Sequence, residues 1–376
     1  MKQAIAERIK PQEGFQHRVA QKQTTTFDHI AKLSLVHLQL TSKCNLRCPF
    51  CGQWGDDGYF HDQTAGVELT TQEWLRVIDE AVDLADGAPV EFILWGGEPL
   101  LSVSFEPIAA YISAIGCKAA LITNGTLLKQ HIKTINRYIA TLYVSIDGSE
   151  TVHEQIRNAP KIFAKIKAGL AEIDHNRVTT ACMTTICESN VAVIEQMPFV
   201  AAELGFDKII LQNLIYCSST MAEDYTNWLS SSYQQSAPQV KTWVNNQFGS
   251  WIEQVAERVK VLHDNIVKDL YPLPVILHPK ELLECNILDW FEPSVKLQGA
   301  DSYCKMPFAH LQITATGEVN FCVDFCDFSL VNVKQRSLKA LWLGENAQKF
   351  RKDIINGGNP LCQRCPWFYN KKLKTD

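Results

Sequence analysis

Near its start the chain reads Leu33-Ser34-Leu35-Val36-His37-Leu38-Gln39-Leu40-Thr41-Ser42-Lys43-Cys44-Asn45-Leu46-Arg47-Cys48-Pro49-Phe50-Cys51. The first eight residues have the composition of a buried β-strand, and Thr-Ser-Lys turns the chain out of it. Three cysteines follow at C-x3-C-x2-C spacing on one short loop. A [4Fe–4S] cluster takes four ligands, so three thiolates hold three corners and leave the fourth iron open. An open iron beside a pocket is a reactive site, whereas a closed cluster is a relay or a staple. The alternative ion is zinc, but structural zinc sites draw their cysteines from two separate elbows rather than one loop.

Working outward, a β-then-helix rhythm runs from residue 33 to about 217. Strands are expected at Leu33–Leu40, Val90–Trp95, Ala119–Thr123, Ala140–Ile146, Val178–Ile186 and Lys208–Ile215. Helical spacing fills the gaps, as in Thr70–Asp86, where Thr70 and Glu73 form a capping box. The other helices are expected at Phe105–Ile115, Leu127–Tyr138, Pro160–Asp174 and Val191–Leu204. Six strands alternating with helices predict an α/β fold, a partial (β/α)6 TIM-like barrel with parallel strands. Functional residues in such folds collect at the C-terminal strand ends. The cysteine loop, Gly96-Gly97-Glu98-Pro99, Asn124-Gly125 and Ser145-Ile146-Asp147-Gly148 all fall there.

Beyond 217 the rhythm breaks. Val240, Val244, Phe248, Trp251, Val255, Val259 and Leu262 follow helical spacing, so 218–300 reads as a helical insertion against the substrate pocket, ended by the proline-bearing Tyr271–Pro279 stretch. From 301 a small C-terminal domain begins, with a hairpin at His310–Thr314 and Val319–Cys322. The expected domains are therefore an arm at 1–32, the barrel at 33–217, the insertion at 218–300 and the cysteine-bearing domain at 301–376.

Composition narrows the setting. The net charge of −5 and the lack of a basic stripe give no reason to expect nucleic acid. No run approaches the roughly 18 apolar residues of a membrane span, and no secretory signal opens the chain. Thirteen cysteines without such a signal favour metal ligation in a reducing, cytoplasmic setting over disulfides.

With these residues in view, the chain resembles the radical S-adenosylmethionine enzymes over 33–217 and 304–365. Their C-x3-C-x-Φ-C signature is matched by Cys44, Cys48, Phe50 and Cys51. The resemblance implies that the open iron is chelated by S-adenosylmethionine, which is cleaved to a 5′-deoxyadenosyl radical that abstracts substrate hydrogen. It also implies a cofactor-binding turn at Gly96, Gly97 and Glu98, where the carboxylate accepts from the ammonium group and the glycines let the backbone approach closely. Asn124, Ser145, Asp147 and Arg157 are the matching contacts to the ribose and carboxylate. Each has an ordinary alternative as a turn or solvated residue; their joint placement at successive strand ends carries the reading.

The C-terminal cysteines Cys304, Cys322, Cys362 and Cys365 resemble the twitch form of the SPASM domain, with Gly317 and Cys322 as its G-x4-C hairpin. That implies one fully cysteine-ligated auxiliary [4Fe–4S] cluster and two clusters in all. A zinc knuckle is the alternative. Cys326 stands outside the four-ligand pattern, as a replacement for Cys322 or a bystander, the latter favoured. With no open iron, the auxiliary cluster would accept an electron and make the net reaction an oxidation, a dehydrogenation or crosslink. A radical epimerase is the second reading, with Cys217 or Cys285 returning a hydrogen atom; a non-enzymatic electron carrier or a zinc-stabilised binding module is the third. Asp324 is the candidate base for an oxidation. The substrate is a peptide or a small natural-product intermediate. The 43 residues before Cys44 leave no room for a fused leader-recognition domain, which tilts the expectation toward a small molecule or toward a peptide bound by a separate recognition protein, beside a flavodoxin or ferredoxin as electron donor.

Overall fold

The computed structural model describes residues 33–61, 66–245, 249–279, 287–292, 295 and 303–369; the expected arm at 1–32 and Cys285 lie outside them. Its core is one nine-stranded sheet. The strands are β1 (Leu35–Thr41), β2 (Glu91–Gly96), β3 (Lys118–Thr123), β4 (Thr141–Ser145), β5 (Thr179–Ile186), β6 (Lys208–Asn213), β7 (Val275–His278), β8 (His310–Ile313) and β9 (Val319–Asn320). They lie in the order β7-β6-β5-β4-β3-β2-β1-β8-β9, and all pairs are parallel except β8 with β9. The sheet curves without closing, because β7 and β9 stand at its two ends.

Helices α1 (Thr71–Ala85), α2 (Phe105–Ala114), α3 (Leu128–Tyr138), α4 (Glu150–Ile156), α5 (Ile162–Leu170) and α6 (Met197–Glu203) fill the crossovers. The capping box of α1 is present: Thr70 N donates to Glu73 Oε2 at 2.7 Å, and Glu73 N donates to Thr70 Oγ1 at 3.3 Å. Alternation along β1 sorts the two faces of the sheet. Val36, Leu38 and Leu40 join the large core that includes Trp74 and Ile78 of α1. On the other face Leu35 packs with Ile93, Ala120, Tyr143 and Ala181, an apolar plug at the N-terminal end of the lumen. Above this plug the inward positions of β1 turn polar, at His37, Gln39 and Thr41.

The insertion is helical at α7 (Ser219–Tyr233), in a 3-10 turn at Val240–Trp243 and at α8 (Trp251–Val267). The proline-bearing stretch after it is more than a stop. Val275–His278 pairs with β6 from Ile209↔Val275 to Gln212↔His278, a seventh parallel strand. The flanking prolines, which lack the N–H a ladder needs, sit just outside its four residues.

The hairpin β8–β9 is where expected, but it is built into the barrel sheet. β8 pairs with β1 from Leu35↔His310 to Leu38↔Ile313. Gln39 Oε1 accepts from Ala315 N at 3.2 Å, and the rings of His37 and His310 share a hydrogen bond of 2.8 Å. Burial holds both imidazoles below their ordinary range, His310 at about 4. They are therefore a neutral, interlocked pair.

Candidate active site

The cysteine loop leaves β1 under close control. Glu68 Oε1 accepts from Thr41 Oγ1 at 2.8 Å and from Ser42 N at 2.9 Å. Arg47 donates to the carbonyls of Cys44 and Leu46, each at 2.8 Å, and its guanidinium lies 4.3 Å from the Trp54 ring centroid. The loop closes on itself through Cys51 N to Cys48 O at 3.0 Å and Gly55 N to Cys51 O at 2.7 Å. Leu46, Cys48 and Ile162 form a small buried cluster against which Cys44, Phe50 and Cys51 pack. Burial is the main reason the Cys44 thiol is pushed up to about 11, with Glu98, Cys48 and Cys51 adding to it. Burial likewise raises Cys48, opposed by the charge of Arg157. Thiols gathered on one loop, two of them held protonated by burial, are suited to sharing a metal group, which displaces their protons.

Glu98 sits at the end of β2, fully buried. Its Oε1 accepts from Thr123 Oγ1 at 2.7 Å and Leu100 N at 3.1 Å, and its Oε2 accepts from Asn124 N at 2.8 Å. Burial outweighs these donors and raises the carboxyl to about 7. The group therefore ties the end of β2 to the end of β3 and keeps lone-pair capacity for one further donor. Gly96 and Gly97 serve the chain's own crowding. A Cβ would fall 2.4 Å from Thr41 O at Gly96, where φ is +153°, and 2.2 Å from Lys43 O at Gly97. The glycines thus let β2 pass the cysteine loop's root. Asn124 reaches that loop directly, donating Nδ2 to Asn45 Oδ1 at 2.9 Å while its Oδ1 accepts from Thr126 Oγ1 at 2.6 Å.

The ends of β4 and β5 hold Arg157. Asp147, fully buried, accepts from Arg157 Nε through Oδ2 at 2.6 Å and from Thr185 N through Oδ1 at 3.2 Å. Arg157 Nη1 approaches Cys48 Sγ at 3.8 Å, and the guanidinium lies 5.4 Å from the Phe50 ring centroid. Asp147 thus faces Arg157 and orients it. Ser145 is half-buried at the end of β4, on the same inward face as Tyr143. The structure brings Gly96, Gly97, Glu98, Asn124 and Arg157 to the cysteine loop, with Asp147 behind Arg157 and Ser145 at the end of β4.

The second thiol set converges too. Cys304, Cys322, Cys362 and Cys365 lie within electrostatic reach of one another, and burial first, then these neighbours, push the thiols of Cys322, Cys362 and Cys365 well up. Among the described residues no three Cys, His, Asp or Glu side chains crowd around a single-ion position. Cys326 lies beside Cys322: its Sγ accepts from Gln312 Nε2 at 3.0 Å and lies 2.8 Å from Val323 O and 3.4 Å from Cys322 O. Asp324 lies beside this set, raised to about 7 by burial. Cys217 is fully buried, its sulfur 4.0 Å from Val240 O. A substrate has no access to it there, and Cys285 is outside the described residues.

Sequence reasoning passed over several partners. Thr123, Thr185, His153 and Asn190 fix Glu98 and Asp147; His153 Nδ1 accepts from Asp147 N at 3.2 Å, and Asn190 Nδ2 donates to Asp147 O at 3.1 Å. Tyr59, Gln312 and Asp327 between the two thiol sets were also passed over. Only Gln312 left a signal, as an inward position by alternation on β8.

Comparisons with known proteins agree with this geometry. The Radical SAM superfamily profile matches residues 38–196, and an iron–sulfur cluster-binding domain, SPASM, matches 304–366. The Fe-coproporphyrin III synthase of Methanosarcina barkeri is 24% identical over 354 residues, covering 89% of this chain and 81% of the relative. The sporulation killing factor maturation protein SkfB of Bacillus subtilis is 24% identical over 45% of this chain and 39% of its own length. The crystal structure of Streptococcus suis SuiB bound to precursor peptide SuiA superposes with a TM-score of 0.58 at 14% identity, covering 90% of this chain and 71% of that one. The first domain binds S-adenosylmethionine and a [4Fe–4S] cluster, and the second binds an auxiliary [4Fe–4S] cluster. Each profile encloses one of the two thiol sets, and together they show that the chain belongs to the radical SAM superfamily and carries a C-terminal SPASM domain.

Proposed function

We propose that the chain is a radical SAM oxidoreductase that performs a net oxidation, a dehydrogenation or crosslink, on a peptide. The observation that carries this reading is the presence of two separate thiol sets, one on the loop that follows β1 and one in the C-terminal region whose strand β8 pairs with β1. In their bound state, S-adenosylmethionine and its cluster supply a 5′-deoxyadenosyl radical that removes a hydrogen atom from substrate. The chain's own groups hold and orient. Cys44, Cys48 and Cys51 are the ligands of the first cluster; Glu98 receives the cofactor's ammonium, and Asn124, Ser145 and Arg157 its ribose and carboxylate side. Cys304, Cys322, Cys362 and Cys365 seat the second cluster as electron acceptor. Asp324, in the neutral range, takes the proton that an oxidation must release.

The names of SkfB and of SuiB with its precursor peptide support a peptide substrate, while that of the Fe-coproporphyrin III synthase supports a small molecule as the second reading. A separate leader-recognition protein and a flavodoxin or ferredoxin complete the proposed set of partners, in the cytoplasm. Among the described residues no helix is long and apolar enough to cross a membrane. The inaccessible sulfur of Cys217 speaks against the epimerase reading. Anaerobic reconstitution tests the whole. About eight irons per chain, four for each cubane, and release of 5′-deoxyadenosine on adding dithionite and S-adenosylmethionine are expected. A colourless zinc protein, or iron without cleavage of the sulfonium, refutes it. One S-adenosylmethionine consumed per product, with no solvent deuterium retained at the reacting carbon, separates oxidation from epimerisation.

A further inference from the structure

The interior wall made by β5, β6 and β7 is only partly filled. Its register sets Thr185 beside Gln212 and Gln212 beside His278. Alternation turns all three inward. Ala181 and Met183 of β5 and Ile210 of β6 line the lumen, whereas Ile209, Leu211 and Leu277 join the outer core. One step below runs an apolar row of Met183, Ile210 and Ile276. Adjacent strands lie about 4.8 Å apart, so the upper row sets a hydroxyl, a carboxamide and an imidazole side by side.

The row bridges the two halves of the site. At one end Thr185 N donates to Asp147 Oδ1 at 3.2 Å, and Asp147 holds Arg157. At the other end the His278 ring meets that of Trp367 edge-on, with centroids 5.4 Å apart. Trp367 lies 6.2 Å from His37, whose ring is 6.4 Å from that of Trp95, so an aromatic wall continues from the row across the lumen. Thr185, Gln212 and His278 are half-buried, and within the described residues none of their side chains has a hydrogen-bond partner. None of their polar atoms is sealed from solvent, in contrast to the fully buried Cys217. Polar groups so placed are satisfied by water or by a ligand.

Their chemistry narrows the ligand. The hydroxyl and the carboxamide each donate and accept. Burial lowers His278 to about 4, so its neutral ring also donates at one nitrogen and accepts at the other. The charged groups at the end of the row, Asp147 and Arg157, are paired with each other. A carboxylate would leave the row's acceptors unmatched, and an ammonium its donors. A neutral amide, with a C=O and an N–H, matches both.

We propose that Gln212, flanked by Thr185 and His278, binds an amide group of the substrate, from its main chain or from an Asn or Gln side chain. The proposal rests on the peptide reading above and names how the peptide is gripped, between the Asp147–Arg157 pair and Trp367.

The test uses the reconstituted holoprotein with S-adenosylmethionine and no reductant, so that binding is read without turnover. The probes are N-acetylated, C-methylamidated Ala-Xaa-Ala peptides in which Xaa is Ala, Gln, Glu or Lys. Two ester analogues of the all-alanine peptide replace each inner N–H in turn by oxygen. Equilibrium dialysis gives Kd. For a side-chain amide, the Gln peptide should bind at least tenfold tighter than the other three. For a main-chain amide, all four should bind alike and at least one ester should be fivefold weaker. Gln212→Met and His278→Phe keep each side chain's shape and remove its polar atoms. Neither side chain has a partner in the free chain, so both variants should keep the parent's iron content, visible spectrum and unfolding midpoint. Each should lose about tenfold in affinity for the preferred peptide. Retained affinity in either variant, tighter binding of the Glu or Lys peptide, equal binding of every peptide and ester, or no binding at all overturns the proposal. So does a lowered unfolding midpoint, which marks the row as structural. Release of 5′-deoxyadenosine with dithionite is scored separately. Its absence with the binding pattern intact refutes the enzymatic reading alone, and its presence without that pattern refutes amide recognition alone.

Discussion

At the scale of single residues, the site is made of side chains whose ordinary chemistry is bent by burial. Glu98 is the clearest case. Glu98→Gln replaces one acceptor oxygen with a donor facing either Asn124 N or the Thr123 hydroxyl. It should cost about 1–3 kcal/mol of stability, the range for leaving a buried group unsatisfied, and weaken S-adenosylmethionine binding; urea unfolding and calorimetry measure the two. His153 carries a pH signature. Burial, then the charge of Arg157, lowers it from 6.5 to about 4, and its Nδ1 is already occupied by Asp147 N. A lowered histidine favours folding fully above 6.5 and loses that contribution as pH falls through about 4. The difference is on the order of 3 kcal/mol by linkage. His153→Gln should flatten the stability profile between pH 4 and 6.5 by about one proton's worth, read from unfolding midpoints across that window. His37, His278 and His310 are lowered too, so a residual slope will remain.

At the scale of elements, the meeting of β2 with the cysteine loop is the tightest joint. Gly97→Ala sets a methyl 2.2 Å from the Lys43 carbonyl, against backbone that cannot step aside. A loss of about 1–3 kcal/mol or more, typical of overpacking, is expected, together with impaired iron uptake at the first site; thermal unfolding and iron analysis check both. This joint was legible early because its parts are local: a Gly-Gly-Glu at a strand end and three cysteines within eight residues. The alternation of strands and helices was equally plain, since each crossover repeats one period change. What stayed hidden came from pairing over long separations. β7 is four residues fenced by prolines, and only its partner β6 makes it a strand. Gln312 enters the interior because β8 joins β1, which sets His310 beside His37 across 273 positions. The row of Thr185, Gln212 and His278 exists only because β5, β6 and β7 lie in register, and alternation along one strand cannot show that.

At the scale of the whole molecule, the two thiol sets are separable in chemistry though not in architecture. A chain with Cys304, Cys322, Cys362 and Cys365 all changed to alanine should retain about four irons, one cubane. It should still release 5′-deoxyadenosine when given dithionite, while forming no oxidised product. If iron falls to zero, the C-terminal thiols support the first site's folding rather than a second cluster; if product persists, the electron leaves by another route. The neighbouring strands β1 and β8 also bear on timing. β1 ends at the first thiol set, and β8 lies in the domain that carries the second. Adjacent strands sit about 4.8 Å apart and cannot slide without breaking register. The gap an electron crosses is therefore a fixed length of the folded sheet rather than the outcome of two bodies meeting. Transfer between the sites should show a single rate, insensitive to solvent viscosity, in every molecule of a population.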